Sequence, residues 1–125
     1  MGNQWDQVER RRYVRIERHF IISYYDKNDP DVKHNISQLK NISMGGMCFI
    51  ASQKYDPNTK MGIELKTPFL AAMVHVEGTV LESREKAVNL IYETRLAFDA
   101  LSKEAEIVLK KIVETFQKIK EEKQP

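Results

Sequence analysis

Apolar residues fall on alternate positions through most of the first hundred residues, and a period of two marks half-buried strands. Ile16, Phe20, Ile22 and Tyr24 share one parity, broken by Arg18, and predict a strand over about Ile16–Tyr25. Asn28-Asp29-Pro30-Asp31 makes the Asp26–His34 stretch a turn. A second strand is predicted over roughly Asn35–Ile42, running into a Ser43–Gly46 turn. Met47–Ala51 is a short apolar strand, and Asp56-Pro57-Asn58 breaks the chain after it. Met61, Ile63 and Leu65 alternate up to Thr67-Pro68, and Val74, Val76 and Val80 alternate next. Arg84-Glu85-Lys86 reads as a hairpin turn although it lacks Gly or Asn. Val88, Leu90, Tyr92, Leu96 and Phe98 then keep one parity through a long final strand.

After Phe98 the period changes. Leu101, Ala105, Val108, Ile112, Phe116 and Ile119 recur every three or four residues, as on one face of a helix. Ser102 is the expected N-cap, with Glu104 and Glu106 near the positive helix end and Lys118, Lys120 and Lys123 near the negative one. Several strands joined by turns and closed by one helix predict a small antiparallel barrel or sandwich. The helical stripe is longer than the mouth of such a barrel needs, so self-association or partner contact through the C-terminal helix is an expectation. The predicted organisation is a flexible tail over 1–8, a β domain with its arginine arm over 9–102, and the helix and tail over 103–125.

Length and charge narrow the class. A chain of 125 residues is most economically one domain, and 42% hydrophobic residues suffice for one core. A net charge of only +2 does not argue for a general DNA, RNA or membrane binder. No segment is long and apolar enough to span a bilayer, and the N-terminus lacks the apolar stretch of a signal peptide. Asp6 stands where a myristoylation signal wants Ser or Thr. Cys48 is the only cysteine, so no internal disulfide forms, and a reducing cytoplasm is the expected setting.

Two polar motifs carry the candidate chemistry. Arg10-Arg11-Arg12-Tyr13-Val14-Arg15 crowds guanidinium groups, whose planar forks match phosphates and the O6/N7 edge of guanine. A basic run is more often only a solvated arm. Asn41-Ile42-Ser43-Met44-Gly45-Gly46 supplies short hydrogen-bonding side chains of one parity, and its glycines permit positive φ and leave room for a flat ligand. An ordinary β-turn uses the same residues.

Together the motifs are far more specific. Arg-x-x-x-Arg at Arg11 and Arg15, followed by Asn-x-Ser-x-x-Gly at Asn41, Ser43 and Gly46, resembles the PilZ domain family. The resemblance runs from about Glu9 to about Phe116 and takes in Met47–Ile50, the Val74–Val80 strand, the Phe98…Leu101-Ser102 junction and the helix. It implies a six-stranded antiparallel β-barrel with a C-terminal α-helix, and a receptor for cyclic di-GMP with no catalysis and no cofactor of its own. It implies that Arg11 and Arg15 contact phosphate and guanine, that Asn41 and Ser43 bond a guanine edge, and that Gly46 keeps the turn open. Arg10, just before the first motif arginine, resembles members that hold a stacked pair of nucleotides. The output is expected to pass through an unidentified partner protein, in motility, biofilm or related control.

Two positions depart from the family pattern. Arg95 precedes Leu96 in the final strand, where many members have Gly, and either adds a ligand contact or faces solvent. Glu82 falls near a position where some members place a stacking Trp, and it repels phosphates if it points inward. The rival readings are a degenerate PilZ-like adaptor that binds protein but no nucleotide, and an RNA-binding barrel, which would bind unrelated single strands with a steep salt slope. His19, His34, His75 and Cys48 match no metal-ligand spacing, and Cys48 reads as a small buried side chain. Trp5 and Tyr13 are candidates for stacking or for packing the arm.

Overall fold

The computed structural model describes residues 13–68 and 73–123. Eight strands, all paired antiparallel, form one sheet: β1 (Val14–Arg15), β2 (Ile21–Asp26), β3 (His34–Asn35), β4 (Gln38–Ile42), β5 (Gly46–Ala51), β6 (Lys60–Lys66), β7 (Val74–Ala87) and β8 (Ile91–Phe98). One helix, α1 (Lys103–Lys123), follows. The strand order is β1-β4-β5-β8-β7-β6-β2-β3, so among the described residues the ladder has two edges and no strand pairing closes it.

The count is eight rather than six because β1 forms ahead of the strand expected over 16–25 and the strand expected over 35–42 is broken in two. The expected 16–25 strand is shortened to β2 by a turn at its start, in which His19 and Phe20 both donate to the Ile16 carbonyl, at 2.9 and 3.1 Å. The strand expected over 35–42 is divided into β3 and β4. Only Ile36 and Ser37 separate these two pieces, yet β3 ends one edge of the sheet and β4 lies one strand from the other. Two residues span at most about 7 Å, so the sheet must curl until its edges approach. Ile36 N–H donates to the Ile22 carbonyl at 2.8 Å and Ile16 N–H to Ser37 at 3.1 Å, tying the corner together.

The inward parity builds the core. Ile22 and Tyr24, Met47 and Phe49, Met61, Ile63 and Leu65, Val74, Val76 and Val80, and Leu96 are all buried. The helix adds Ala105, Val108, Leu109, Ile112, Phe116 and Ile119 to the same cluster and packs on β6 and β7. Ser102 caps it: the Ala105 N–H donates to Ser102 Oγ at 3.1 Å. Of the expected stripe, Ala105, Val108, Ile112, Phe116 and Ile119 are buried and Leu101 is partly buried against the same cluster.

The β7–β8 hairpin corrects a second expectation. Arg84, Glu85 and Lys86 lie within β7, and the turn comes later, at Val88-Asn89-Leu90, where Asn89 takes a left-handed φ of 57°. Asn tolerates that conformation better than most residues. Val88 and Leu90, expected on the core parity, are exposed at the hairpin tip. The extension of β7 was hidden because its inward residue is polar: Ser83 is buried and shares a 2.9 Å hydroxyl contact with buried Thr94.

Candidate functional site

The outward parity of four adjacent strands makes one polar face. Strand register sets Asn41 (β4) opposite Cys48 (β5), Cys48 opposite Arg95 (β8), and Arg95 opposite Glu82 (β7). The neighbouring row runs Ile50, Glu93, Arg84. Two bulges frame this face, between Leu39 and Asn41 in β4 and between Val80 and Glu82 in β7. A bulge inserts one residue and re-aims those beside it. The second bulge leaves Leu81 exposed and sets Glu82 opposite Arg95.

Two adjoining depressions lie on this face. One, of about 240 Å³, is lined by Asn41, Ser43, Gly46, Leu81 and Arg95 among others. The other, of about 290 Å³, is lined by Lys40, Asn41, Cys48, Glu82, Arg84, Glu93 and Arg95. The structure thus brings together three of the sequence-predicted site residues, Asn41, Ser43 and Gly46. Arg15 is exposed on β1, opposite Gln38 of β4, and lines neither depression. Arg10 and Arg11, like Trp5, lie outside the described residues.

Local bonding explains the turn. Ser43 N–H donates to the Gly46 carbonyl at 2.8 Å, and Ser43 Oγ accepts from Gly45 N–H at 3.1 Å. Neither Gly45 nor Gly46 has a positive φ, so the expected left-handed freedom is not used. Gly46 is needed for space instead. A Cβ there would sit 2.3 Å from the Leu96 carbonyl oxygen, so the room that glycine provides goes to the backbone of β8. The Asn41 amide is exposed and has no hydrogen-bond partner among the described residues.

Two carboxylates organise the cations. Glu93 is buried and accepts a short hydrogen bond from Tyr13, with Lys40 at 3.3 Å and Lys86 at 3.7 Å. Burial alone would raise its carboxyl; the bonds from Tyr13 and Lys40 and the Lys40 and Lys86 charges outweigh that and hold it below the usual range. Glu82 accepts from Arg84 through Nε at 3.1 Å and Nη2 at 2.8 Å, and Arg95 Nη1 lies 3.8 Å from its other oxygen. Cys48 is half-buried between these groups. Burial, then the Glu93 charge, push its thiol up to about 12.

Tyr13 is buried, and its bond to Glu93 fixes where the arginine arm joins the sheet: at the wall of the larger depression. Lys40, Arg84 and Glu93 are the residues that sequence reasoning missed as parts of the site, whereas Tyr13, a candidate for packing the arm, is buried against Glu93. Arg84 was assigned to a turn, and Lys40 is the extra residue of a bulge, so neither shows an outward parity in the sequence. His19 and His75 are exposed, as their parity indicated, and among the described residues no group of three or more His, Cys, Asp and Glu side chains is placed to hold a metal ion. Among the described residues no helix is long and apolar enough to cross a membrane.

Comparison with known proteins gives two findings. A family model described as PilZ domain matches residues 9–115. The structure is similar to that of the Bacillus subtilis inhibitor of motility (MotI/DgrA), with a TM-score of 0.57 at 12% identity, over 88% of this chain and 52% of that one. This chain therefore spans about half the length of that protein, and at such identity the likeness concerns the fold alone. No curated protein matches the sequence.

Proposed function

Because this chain belongs to the PilZ domain family, we propose that it is a receptor for cyclic di-GMP that signals to a partner protein from the cytoplasm. The observation that carries this reading is the convergence of Asn41, Ser43 and Gly46 on one depression beside Arg95. The free Asn41 amide and the Ser43 hydroxyl offer donors and acceptors to a guanine edge, and exposed Leu81 offers a base an apolar face. In sequence Arg11 stands two residues before Tyr13, which is held on Glu93 at the wall of the larger depression. We read Arg10, Arg11 and Arg15 as the phosphate and guanine ligands. An arm that orders on binding loses affinity to entropy and gains a switch, because the closed arm presents a new surface to the partner. The sheet we read as a six-stranded barrel in which the strand expected over 35–42 is broken at the Ile36–Ser37 corner. The solved neighbour is described as an inhibitor of motility, and a motility-linked output is the corresponding reading here.

One observation favours a second reading, an adaptor that binds protein without nucleotide: Glu82 places a carboxylate on the same face and engages both of its arginines. Calorimetric titration separates the two. Saturable binding of cyclic di-GMP is expected, with none for cyclic di-AMP. Charge-assisted hydrogen bonds are worth about 1.5–3 kcal/mol each, so Arg11→Ala is expected to weaken binding about tenfold or more. Arg10→Ala is expected to change the number of nucleotides bound. A wild-type protein that ignores cyclic di-GMP establishes the adaptor instead.

A further inference from the structure

We propose that Glu82 is a built-in anionic competitor for the nucleotide: it holds Arg84 and Arg95 across the floor of the larger depression, and a phosphate of cyclic di-GMP takes these guanidinium groups from it. The inference rests on the receptor reading and adds to it two further ligand-binding residues and the group that opposes them.

The charges of the depression divide into two sets. Lys40 is paired with Glu93, whose carboxylate is also engaged by Tyr13 and Lys86, so that set is internally satisfied. Among the described residues Arg84 and Arg95 have a single carboxylate between them, Glu82, and each of its oxygens faces a different guanidinium. Glu82 has this position because of the β7 bulge. Val80 stays opposite Leu96, Leu81 is set out of register, and Glu82 arrives opposite Arg95. Without the extra residue, position 81 would face Arg95.

The pairing is made to exchange. The Arg84 and Arg95 side chains are 64% and 59% exposed, and ion pairs at such positions are weak and screened. A phosphate offers a guanidinium a stronger, bidentate partner. The depression that contains the pair shares Asn41, Cys48 and Arg95 with the one that holds the Asn41–Ser43–Gly46 turn. A ligand seated on that turn thus has Arg95 within its own site and Glu82 as the nearest competitor for it. An anion that cannot also satisfy the turn gains little by displacing Glu82, so the carboxylate sharpens selection against simple phosphates.

The test is calorimetric titration of the full chain with cyclic di-GMP, thermal melts confirming that each variant is folded. Glu82→Gln keeps the shape and removes the charge; it is expected to bind about fivefold tighter, the size of two weak exposed ion pairs. Arg84→Ala/Arg95→Ala is expected to weaken binding about tenfold. In that double background Glu82→Gln is expected to give no gain, because Glu82 acts through the two arginines. Unchanged or weaker binding by Glu82→Gln overturns it, as does an equal gain when both arginines are gone, which signifies general repulsion. If the wild type binds and Glu82→Gln is no tighter, only this proposal falls; if no variant binds, the receptor reading falls with it.

Discussion

Replacing Gly46 by Ala separates two reasons for a glycine at the end of the Asn-x-Ser-x-x-Gly motif. If glycine is there to admit a ligand, Gly46→Ala lowers affinity and leaves stability alone. The geometry says otherwise. An added Cβ would lie 2.3 Å from the Leu96 carbonyl oxygen and 3.2 Å from Ala97 Cα, both backbone atoms of β8 that cannot rotate away. Ordinary contact begins near 3.4 Å, so the two strands must part by about 1 Å where Gly46 faces Ala97 and Phe98 N–H donates to the Gly45 carbonyl at 2.9 Å. Overpacking of this kind costs about 1–3 kcal/mol. For a chain of this length that is a fall in Tm of roughly 3–5 °C per kcal/mol. Gly45→Ala is the internal control. Its Cβ would meet only Ser43 Oγ at 3.8 Å, and its φ is not positive, so it is expected to be neutral or slightly stabilising, by about 0.4–1 kcal/mol, through the unfolded chain. Calorimetric melts of the two variants and the wild type decide the matter. A Gly46→Ala protein that melts with the wild type but loses nucleotide refutes the packing account and restores the ligand-room account.

Two further predictions concern the buried charges of the same face. Glu93 has a folded pKa below its ordinary 4.5, so its contribution to stability is complete above about pH 4.5 and is lost as the pH falls through the lower folded value. Tyr13→Phe removes the hydrogen bond that Tyr13 donates to this carboxylate and is expected to cost about 1–3 kcal/mol at pH 7 and to flatten the acid limb of a urea-denaturation series; an unaltered limb sinks the assignment. Cys48, with its thiol pushed up to about 12, is expected to react with iodoacetamide at pH 8 on the order of a hundredfold more slowly than a free thiol, and labelling at the free-thiol rate in folded protein contradicts the burial described here.

Much of the fold is legible from residue order, and the failures share a cause. Parity placed the strands around Met47–Ala51, Met61–Leu65 and Val74–Val80, and the helix with its Ser102 cap, because each of these keeps one period from end to end. Each failure sits at an interruption of period. The β7 bulge shifts parity by one after Val80, so buried Ser83 follows at an odd step and Arg84 looks like part of a turn. The corner at Ile36–Ser37 keeps Ile36 and Leu39 buried while two separate strands share what reads as one. The candidate site follows the same rule. Asn41, Ser43 and Gly46 announce themselves as a motif within one turn. Lys40 and Arg84 do not, because their place on the outer face depends on strand register and on bulges, which local sequence does not encode. Gly46 was found for the wrong reason: residue type marked a position that backbone approach, not φ, requires.

Because the core lies on one parity and the candidate site on the other, the same strands carry stability and recognition with little interference, except where a site residue is also a packing residue. Gly46 is one such place. Glu93 is the other. Its carboxylate is buried in the sheet, borders the depression, and receives Tyr13 from the arm. The exposed set of Arg84, Arg95 and Glu82 has no such tie to the core, so charge there can change without cost to the fold. On the receptor reading proposed above, Tyr13 and Glu93 join the site to the core and Glu82 does not, so Glu82 is the position where a change of charge is expected to alter ligand affinity with least effect on the core.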